Sequence, residues 1–545
     1  MEPTSHSGTA QLAKEEPSQQ ATGQINMIHD WQGADDPENP RNSPLSIRVS
    51  SIIAVTSLAF VSTFAGAIYA PAQDSVMKEF NCSYEVSMLP LALYNLGLAF
   101  GPLVGAPLSE TFGRKCVFVA TTPIFVFFML GGGFSGNITS LTVCRFFAGM
   151  FSSSNINNAS ATILDYSEAR HRGVILGVYY SLPSLGAALA PLVGGFILGV
   201  KGWRWTQWSA IIITAGFYVP VLFMRETYKK VILRRRAVRM GLSDTASQRM
   251  SPIRALSYFF TTLIQRPLHM LLTEPIVSLV SLYNGMIFGI LYTFVTSVPW
   301  VFRHYYGFDK RGQSLSYLGL TIGTLTACVP FALIDIRFYQ RRLRQWKQTH
   351  NADEQMPPEH RLLPAMAGSL PLPASLLIAG WTAQYRAHWI IPILFQGLTM
   401  LSSLLVYAGA NLFMLDAYGP LYGASASAAM MLSRYVLSAA FPMFALRMFQ
   451  ALGAGWANTI LAVLTLFMAP VPWCFWVFGE RLRRRSRYER GSWHVVSVHV
   501  HYGCYCKNTE HYYSLTYEAI EQYTSPILRE LYPTAYEYDF LIPLP

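Results

Sequence analysis

A few ionisable side chains stand inside or beside long apolar runs of this sequence. Arg145 lies within such a run. A charge inside a membrane helix normally faces a partner or a water-filled cavity, unless it reaches the interface from near the helix end. Carboxylates that could carry a proton mark the ends of apolar runs, including the run that contains Arg145: Asp74, Asp165, Glu274 and Asp416. Because all four are close to predicted helix ends, each is also explained as an interfacial or helix-capping group.

The composition indicates a membrane protein. Of the 545 residues, 52% are hydrophobic and 13% are charged, and the mean hydropathy is positive at +0.28, unlike that of an ordinary soluble chain. The net charge is +11, but the basic residues form short clusters between apolar runs, as on a cytoplasmic membrane face. We therefore expect the lipid bilayer, and not nucleic acid, as a partner. The seven cysteines are scattered and indicate no disulfide framework.

Twelve apolar runs are long enough to cross a bilayer, and we number them spans one to twelve. The first six lie at 51–70, 88–109, 117–134, 139–163, 174–198 and 206–224. The others lie at 275–301, 314–335, 362–382, 389–415, 423–447 and 456–478. The sequence thus predicts six-helix bundles at 49–225 and 275–480, joined by a cytoplasmic linker at 226–274. A disordered N-terminal tail, 1–48, and a C-terminal tail of atypical sequence, 481–545, flank the bundles.

The distribution of basic residues orients the spans. Lys and Arg are concentrated in the linker, after span eight, between spans two and three and after span twelve, so both termini are predicted to be cytoplasmic. The expected location is the plasma membrane, with the vacuolar membrane as the alternative. The Asn-x-Ser/Thr patterns at Asn81 and Asn137 would then face outward, where they could accept glycans or remain unused.

Span five is rich in glycine and proline. Gly186, Gly194 and Gly195 would let neighbouring membrane helices approach to backbone contact. Pro191 removes one backbone hydrogen bond and predicts a bend. This pattern favours a moving part of the protein, and tight structural packing is the alternative.

Several motifs occur in the order typical of one family. A loop motif at 105–115, with Glu110 where aspartate is common, lies between spans two and three, an Arg-xxx-Gly motif lies in span four, and the stretch 186–195 lies in span five, with Ala190 where glycine is usual. The motif residues are Gly105, Glu110, Gly113, Arg114, Arg145, Gly149, Gly186, Pro191, Gly194 and Gly195. With these motifs, the chain resembles the major facilitator superfamily from about Asp36 to Arg490. Within it, the sequence is similar to the fungal drug–proton antiporter branch with twelve spans, which includes polyamine and multidrug exporters.

The resemblance implies an all-α polytopic membrane protein with the major facilitator fold, in which two six-helix bundles surround a central cavity that opens alternately to each side. It implies proton-coupled efflux of a small organic compound: a drug, fungicide, polyamine or secondary metabolite. The expected partners are that substrate and protons, and the expected state is a monomer. An uncoupled facilitator or nutrient importer, or a membrane sensor that transports nothing, are the alternatives.

The resemblance also implies roles for two motif residues. Glu110 would form a latch with the N-terminus of span eleven, whose partial positive charge favours a carboxylate. A plain turn with positive-inside charges is the alternative. The family's arginine at the position of Arg145 is linked to proton coupling, so Arg145 would pair with a carboxylate or raise the acidity of one nearby.

Candidate cavity residues come from the spans that line the central path in this superfamily. In span seven, Asn284, Phe288 and Tyr292 recur at four-residue spacing and share a helix face. In span ten, Tyr407 and Asn411 do the same. An aromatic cavity of this kind would suit hydrophobic or cationic amphiphilic substrates through stacking and cation–π contact. Ordinary helix packing is the alternative for each residue.

The sequence carries no pattern of an enzyme. It lacks the G-x-x-x-x-G-K-[ST] nucleotide loop, a metal-ligand cluster and a nucleophile constellation in its apolar part, so we expect no enzymatic activity, no cofactor and no metal. After Arg490 the resemblance stops, and residues 491–545 are rich in Tyr and His. We interpret this tail as having no transport role; a metal site at its histidines and cysteines is the alternative.

Overall fold

The computed structural model describes residues 31–33, 35–167, 172–240, 264–350, 356–486 and 488. Within this part the regular secondary structure is helical. The predictions for residues 1–30, for the middle of the linker at 241–263 and for the tail from 489 to 545 lie outside the described residues.

The first half of the chain forms six long helices that match the first six predicted spans. They are Leu45–Ala67, Tyr84–Phe112, Arg114–Gly133, Ile138–Tyr166, Arg172–Lys201 and Arg204–Leu222. A short helix, Gln73–Glu79, extends span one. Span five continues as one helix through Pro183 and Pro191.

The second half matches the other six spans with more interruptions. Span seven is Pro275–Tyr306. Span eight consists of the consecutive segments Lys310–Leu315, Leu318–Thr326, Cys328–Ile334, a π-helical turn Asp335–Tyr339, and Gln340–Thr349. Span nine consists of Pro358–Leu362, Leu363–Ser369 and Pro371–Gln384. Spans ten to twelve run through Ile390–Met468, with breaks at Gly419 (φ 57°) and Gly453 (φ 78°), and end with Val471–Arg485.

Eight helical segments of the described chain are long and apolar enough to cross a membrane. They comprise spans one, three, five and seven to ten, and a segment Tyr422–Arg485 that holds spans eleven and twelve. Spans two, four and six alternate with these in the first half and are helices of 29, 29 and 19 residues, respectively. Because successive spans alternate in direction, we call the face where span one begins, at Leu45, the N face and the other the opposite face.

Residues 36–48 differ from the predicted disordered tail. Pro40–Asn42 is a short 3-10 helix and span one begins at Leu45. Asp36 is buried and accepts two hydrogen bonds from Arg236, at 2.7 and 2.8 Å, while Glu38 accepts a third at 2.7 Å. The hydrogen bonds from Arg236 hold the pKa of Asp36 well below its usual range. Arg236 belongs to a linker helix, Lys229–Arg239, so this ion pair fixes the N-terminal segment against the linker.

Small residues bring the spans of each half into backbone contact. In the first half, a Cβ atom on Gly97 or Gly149 would collide with backbone of the partner helix where spans two and four cross, and one on Gly105 would lie 2.6 Å from Ser154 Oγ. In the second half, Gly323 of span eight meets the backbone of Gly397 in span ten in the same way. Spans two and four therefore correspond to spans eight and ten, as expected for two six-helix halves.

The two halves contact each other at three levels. On the N face, Gly177 of span five packs on Phe331 of span eight. In the middle, Thr321 Oγ1 donates to Ala188 O at 3.4 Å. On the opposite face, Arg447 of span eleven pairs with Glu85 of span two. Contacts at both faces bring the halves together around residues that lie between them.

Candidate functional site

The glycine-rich stretch of span five is a packing surface for two different spans. A Cβ atom on Gly186 would lie 2.5 Å from Thr63 Oγ1, and one on Gly194 would lie 2.6 Å from Ile68 O, both at span one. Gly195 instead faces Ser314 of span eight, in the other half. Pro191 is buried between these contacts. The stretch therefore combines packing within the first half with a contact between the halves.

Arg145 is buried inside the first half, with 1% of its surface exposed. Its guanidinium donates to the carbonyls of Ala65 and Gly66 at 2.7 Å each and to Gln207 Oε1 at 3.4 Å. It also lies over the rings of Tyr69 and Tyr94. The alternative in which Arg145 reaches the membrane interface is wrong, because carbonyl groups satisfy the charge in the interior. None of its described partners is the carboxylate that the resemblance implied.

Gly113 and Arg114 form the start of span three, which is capped by Glu226 from the segment that follows span six. Glu226 Oε1 accepts from the backbone N–H of Arg114 at 2.8 Å, and Oε2 accepts from that of Lys115 at 3.2 Å. Gly113 has φ 99°, and a Cβ atom there would lie 2.6 Å from the carboxylate carbon of Glu226. Only glycine tolerates both the backbone conformation and the close approach. Glu226 thus binds the positive end of span three.

We expect Glu226→Gln to lower the thermal unfolding midpoint of the purified protein by several degrees. The amide keeps the shape but loses the charge, and charge-assisted hydrogen bonds to a helix start contribute about 1–3 kcal/mol. Glu480→Gln, in an exposed pair with Arg484, is the control and should leave the midpoint unchanged. Equal midpoints for both variants would contradict the capping role.

Glu110, the predicted latch residue, is exposed at the end of span two. The contact at this corner instead involves Asp165, at the end of span four. Its Oδ2 accepts from Thr227 Oγ1 at 3.0 Å and lies 3.7 Å from Arg114 Nε. Asp165, a proton candidate, is therefore tied to the segment that follows span six.

The second half carries a related cluster on the N face, centred on Arg361. Its Nε donates to Asp416 Oδ2 at 2.8 Å and its Nη1 to Asp335 Oδ1 at 3.2 Å. The guanidinium also stacks on Tyr339 at 3.7 Å. A Cβ atom on Gly173, in span five of the first half, would lie 2.8 Å from Asp335. The cluster thus joins the ends of spans eight, nine and ten and touches the other half.

The remaining proton candidates occupy helix ends. Asp74 is exposed in the first turn of Gln73–Glu79. Glu274 is 5% exposed, precedes span seven and accepts from Tyr418 Oη at 3.4 Å. Asp165 and Asp416 take part in ion pairs, with Arg114 and with Arg361 respectively.

The predicted cavity residues Phe288 and Tyr407 meet between the halves. Their rings lie 5.0 Å apart, and Tyr180 of span five packs edge-on against Tyr407 at 5.5 Å. The guanidinium of Arg434 in span eleven lies beside both rings, 4.7 Å from that of Phe288 and 5.3 Å from that of Tyr407, and 4.3 Å from the Tyr435 ring. Arg434 is 2% exposed and donates from Nη1 to Tyr407 Oη.

The other cavity candidates, Asn284, Asn411 and Tyr292, have contacts of different kinds. Asn284 is buried and donates to Met430 Sδ of span eleven at 2.8 Å, while its Oδ1 has no partner among the described residues. Asn411 donates to the carbonyl of Tyr407 at 2.8 Å, one turn earlier in span ten. Tyr292 is 1% exposed in span seven. Asn411 is therefore used within its own helix.

Arg434 was missed by the sequence reasoning, although a signal for it was present. It stands in the middle of the predicted span 423–447, where a charge is costly and marks a functional position. Its position also changes the expected chemistry. The faces of Phe288 and Tyr407, interpreted as binding surfaces for cationic substrates, hold the chain's own guanidinium.

The two glycosylation patterns lie exposed on the opposite face. Asn81 has φ 52° in the turn before span two. Asn137 precedes span four, and its Oδ1 accepts from Ser140 N at 2.7 Å. That bond uses the side-chain oxygen and leaves the nitrogen, the atom that carries a glycan, on an exposed residue.

These features define a multi-pass membrane protein whose two six-helix halves enclose a central site. The chain belongs to the Major Facilitator Superfamily, whose sequence pattern matches residues 55–442. It is therefore a transporter of small molecules and not an enzyme, and the predicted family and fold class are confirmed.

Relatives and solved structures agree with this assignment. The chain is 35% identical to the MFS-type transporter atr4 of Stereocaulon alpinum, over 84% of this chain and 83% of that protein. It is 31% identical to the efflux pump radE of Floropilus chiversii, over 85% and 86%. The structure of the xylose transporter XylE from E. coli superposes with a TM-score of 0.56 at 16% identity, over 79% of this chain and 99% of that one. At that identity the likeness shows the fold alone.

Proposed function

We propose that this transporter exports a small organic compound in exchange for protons. The observation that carries the proposal is the cluster around Arg434, which receives side chains from both halves and lies between contacts on the two faces. Breaking the contacts on one face while keeping those on the other would expose the cluster to one side at a time. The relative named as an efflux pump supports export as the direction.

The proposed orientation places the N face in the cytoplasm and the protein in the plasma membrane. The N face carries the basic linker helix Lys229–Arg239 and the basic end of span twelve, which favours this orientation. Asn81 and Asn137 would then be outside. A glycosidase-sensitive shift in mobility that is lost in the Asn81→Gln/Asn137→Gln double variant supports it, and surface fluorescence distinguishes plasma membrane from vacuole.

Proton coupling supplies the energy in this proposal. A proton that enters down a membrane potential releases about 2.3 kcal/mol per 100 mV, which suffices to concentrate a neutral substrate outside. Drugs, fungicides, polyamines and secondary metabolites are the substrate classes to screen. The carboxylate that carries the proton is sought first among Asp165, Glu274 and Asp416, which the structure places in buried or half-buried positions.

Expression in a yeast strain depleted of its own pumps tests the function. We expect at least one compound of these classes to accumulate less than in the empty-vector strain, and a protonophore to abolish the difference. Flux that survives the protonophore would instead identify an uncoupled facilitator. Absence of flux for every class, at confirmed surface expression, would contradict the transport proposal and favour a sensor.

For Glu110 we retain the latch as a proposal: its carboxylate is exposed at the N face in this conformation and would contact the N-terminus of span eleven in the other. We expect Glu110→Ala to keep the surface level and to lower transport several-fold, because one conformation loses a charge–helix contact worth up to about 1 kcal/mol. Glu110→Asp is the control with the charge retained. Unchanged transport in Glu110→Ala at equal surface level would contradict the latch.

A further inference from the structure

Two arginines are buried among the membrane spans near the middle of the molecule, and they differ in one respect. The guanidinium of Arg145 donates to carbonyl and amide oxygens of spans one, two and six. The guanidinium of Arg434 makes one described hydrogen bond, from Nη1 to Tyr407 Oη, while Nε and Nη2 have no hydrogen-bond partner among the described residues. Leaving charged donors unsatisfied in a buried place is costly, so Arg434 requires an explanation that Arg145 does not.

Within the part of the chain that the structure describes, Arg434 has no acidic partner. The groups described around it are the rings of Phe288, Tyr407 and Tyr435. Among the residues that the structure describes, no carboxylate forms an ion pair with Arg434, whereas Arg361 pairs with two carboxylates and Arg483 with one. Within the described part of the chain, the charge of Arg434 is therefore balanced by the Tyr407 hydroxyl and by ring faces, which stabilise a cation only in part.

The two nitrogens without partners form one edge of the guanidinium fork. Nε–H and the adjacent Nη2–H point in parallel and match the two oxygens of a carboxylate. The same chain shows this arrangement at Arg483, where Nε donates to Glu359 Oε1 at 2.8 Å and Nη2 to Oε2 at 2.9 Å. At Arg434, neither nitrogen of the equivalent edge donates to an oxygen of the described residues.

We propose that Arg434 is the substrate-recognition residue of the central site, and that the substrate is an aromatic organic acid whose carboxylate binds the Nε–Nη2 edge. This rests on the proposed transport function and narrows it from small organic compounds to anionic ones. Tyr407 holds the guanidinium in place through Nη1, and Phe288 covers its face. When the halves part, the Tyr180 ring leaves Tyr407 and the aromatic body of the substrate takes its place.

The charge of the site decides among substrate classes. A polyamine or a cationic drug would meet a buried guanidinium at close range, and like charges in a low-dielectric place repel strongly. The carbonyl of a neutral amide can accept one hydrogen bond from the Nε–Nη2 edge of Arg434, whereas a carboxylate accepts two, both charge-assisted. Binding should therefore rank acid above amide above amine for the same aromatic body.

Calorimetry on the purified full-length protein tests this ranking with three probes of one shape: 2-naphthoate, 2-naphthamide and 2-naphthylmethylamine. We expect wild type to bind the acid on the order of tenfold or more tighter than the amide, and the amine least. Arg434→Gln should reduce the acid-over-amide preference to within about twofold, and Arg434→Lys should keep part of it because lysine offers a point charge without the fork. Arg484→Gln, an exposed arginine of span twelve, is the control and should keep the full preference.

The wild-type ranking is informative even if Arg434→Gln does not fold. Equal binding of acid and amide by wild type, tightest binding of the amine, or an undiminished acid preference in a folded Arg434→Gln would each overturn the inference. Proton-driven export of neutral or cationic compounds that is equal in wild type and Arg434→Gln would overturn it while leaving export intact. Arg434-dependent binding of 2-naphthoate without any flux would support it and contradict only the transport function.

Discussion

Replacing Arg361 by methionine is expected to abolish transport and to reduce the amount of protein at the cell surface at least severalfold. Arg361 is 6% exposed and neutralises both Asp335 and Asp416. Methionine preserves much of the volume but leaves two carboxylates without a counter-charge at the junction of spans eight, nine and ten. Breaking a buried ion pair in this way costs about 3–5 kcal/mol for the buried partner, and less for Asp416, which is 30% exposed.

Two further variants separate loss of the network from loss of a positive charge. Arg344→Met removes an exposed arginine of the same region whose Nε bonds only a carbonyl of its own helix, and it should transport normally. Combining Arg361→Met with Asp335→Asn removes one stranded carboxylate and should restore part of the surface level. Cell-surface biotinylation with compound accumulation measures both effects. Normal surface level and transport in Arg361→Met would show that the network is dispensable.

Gly149→Val is expected to lower folded protein to near background, and Gly149→Ala to lower it severalfold. Spans two and four approach so closely that a Cβ atom on Gly149 would overlap the carbonyl oxygen of Tyr94 and lie 3.0 Å from its carbon. The obstructing atoms are backbone, so the helices must separate. Overpacking of a well-packed contact costs about 1–3 kcal/mol or more, and the separation would also disturb Arg145, which lies over the Tyr94 ring.

Gly216→Ala provides the matched control for this prediction. Gly216 lies in span six, and a Cβ atom there meets nothing within 4 Å. Since alanine is a better helix former than glycine by up to about 1 kcal/mol, folded protein should be unchanged or slightly increased. Size-exclusion chromatography of detergent-solubilised fluorescent fusions compares the three variants. Similar monodisperse peaks for Gly149→Val and wild type would contradict the close contact.

The sequence predicts the twelve spans and the family because both depend on local information. Apolar length alone defines each span, and the order of motifs such as Arg145-Phe-Phe-Ala-Gly149 defines the family. Span boundaries differ by a few residues, as at span one, which begins at Leu45 and not at 51. The tail was predicted as disordered because its composition is polar, whereas Asp36 is ordered by Arg236, a residue 200 positions later.

The sequence predicts the aromatic residues of the candidate site but not its charge, because the charge depends on contacts between distant segments. Spacing placed Phe288 and Tyr407 on inward-facing helix faces, and the structure brings them together. Spacing does not reveal that Arg434 lies beside both rings, nor that its Nε–Nη2 edge has no carboxylate partner among the described residues. In the same way, Gly113 was visible as a motif residue, but the partner that requires it, Glu226, lies 113 residues further along the chain.

The bonds of Arg145 have a mechanical consequence. One guanidinium fastens the end of span one to spans four and six, while Glu226 fastens the segment after span six to the start of span three. Because these contacts connect its helices at both ends, the first half should rotate as one rigid body. The conformational change of this transporter should then occur at the interface between the two halves, along spans two, five, eight and eleven. Two spectroscopic labels within the first half should keep their separation through the transport cycle, whereas the distance between labels on different halves should change.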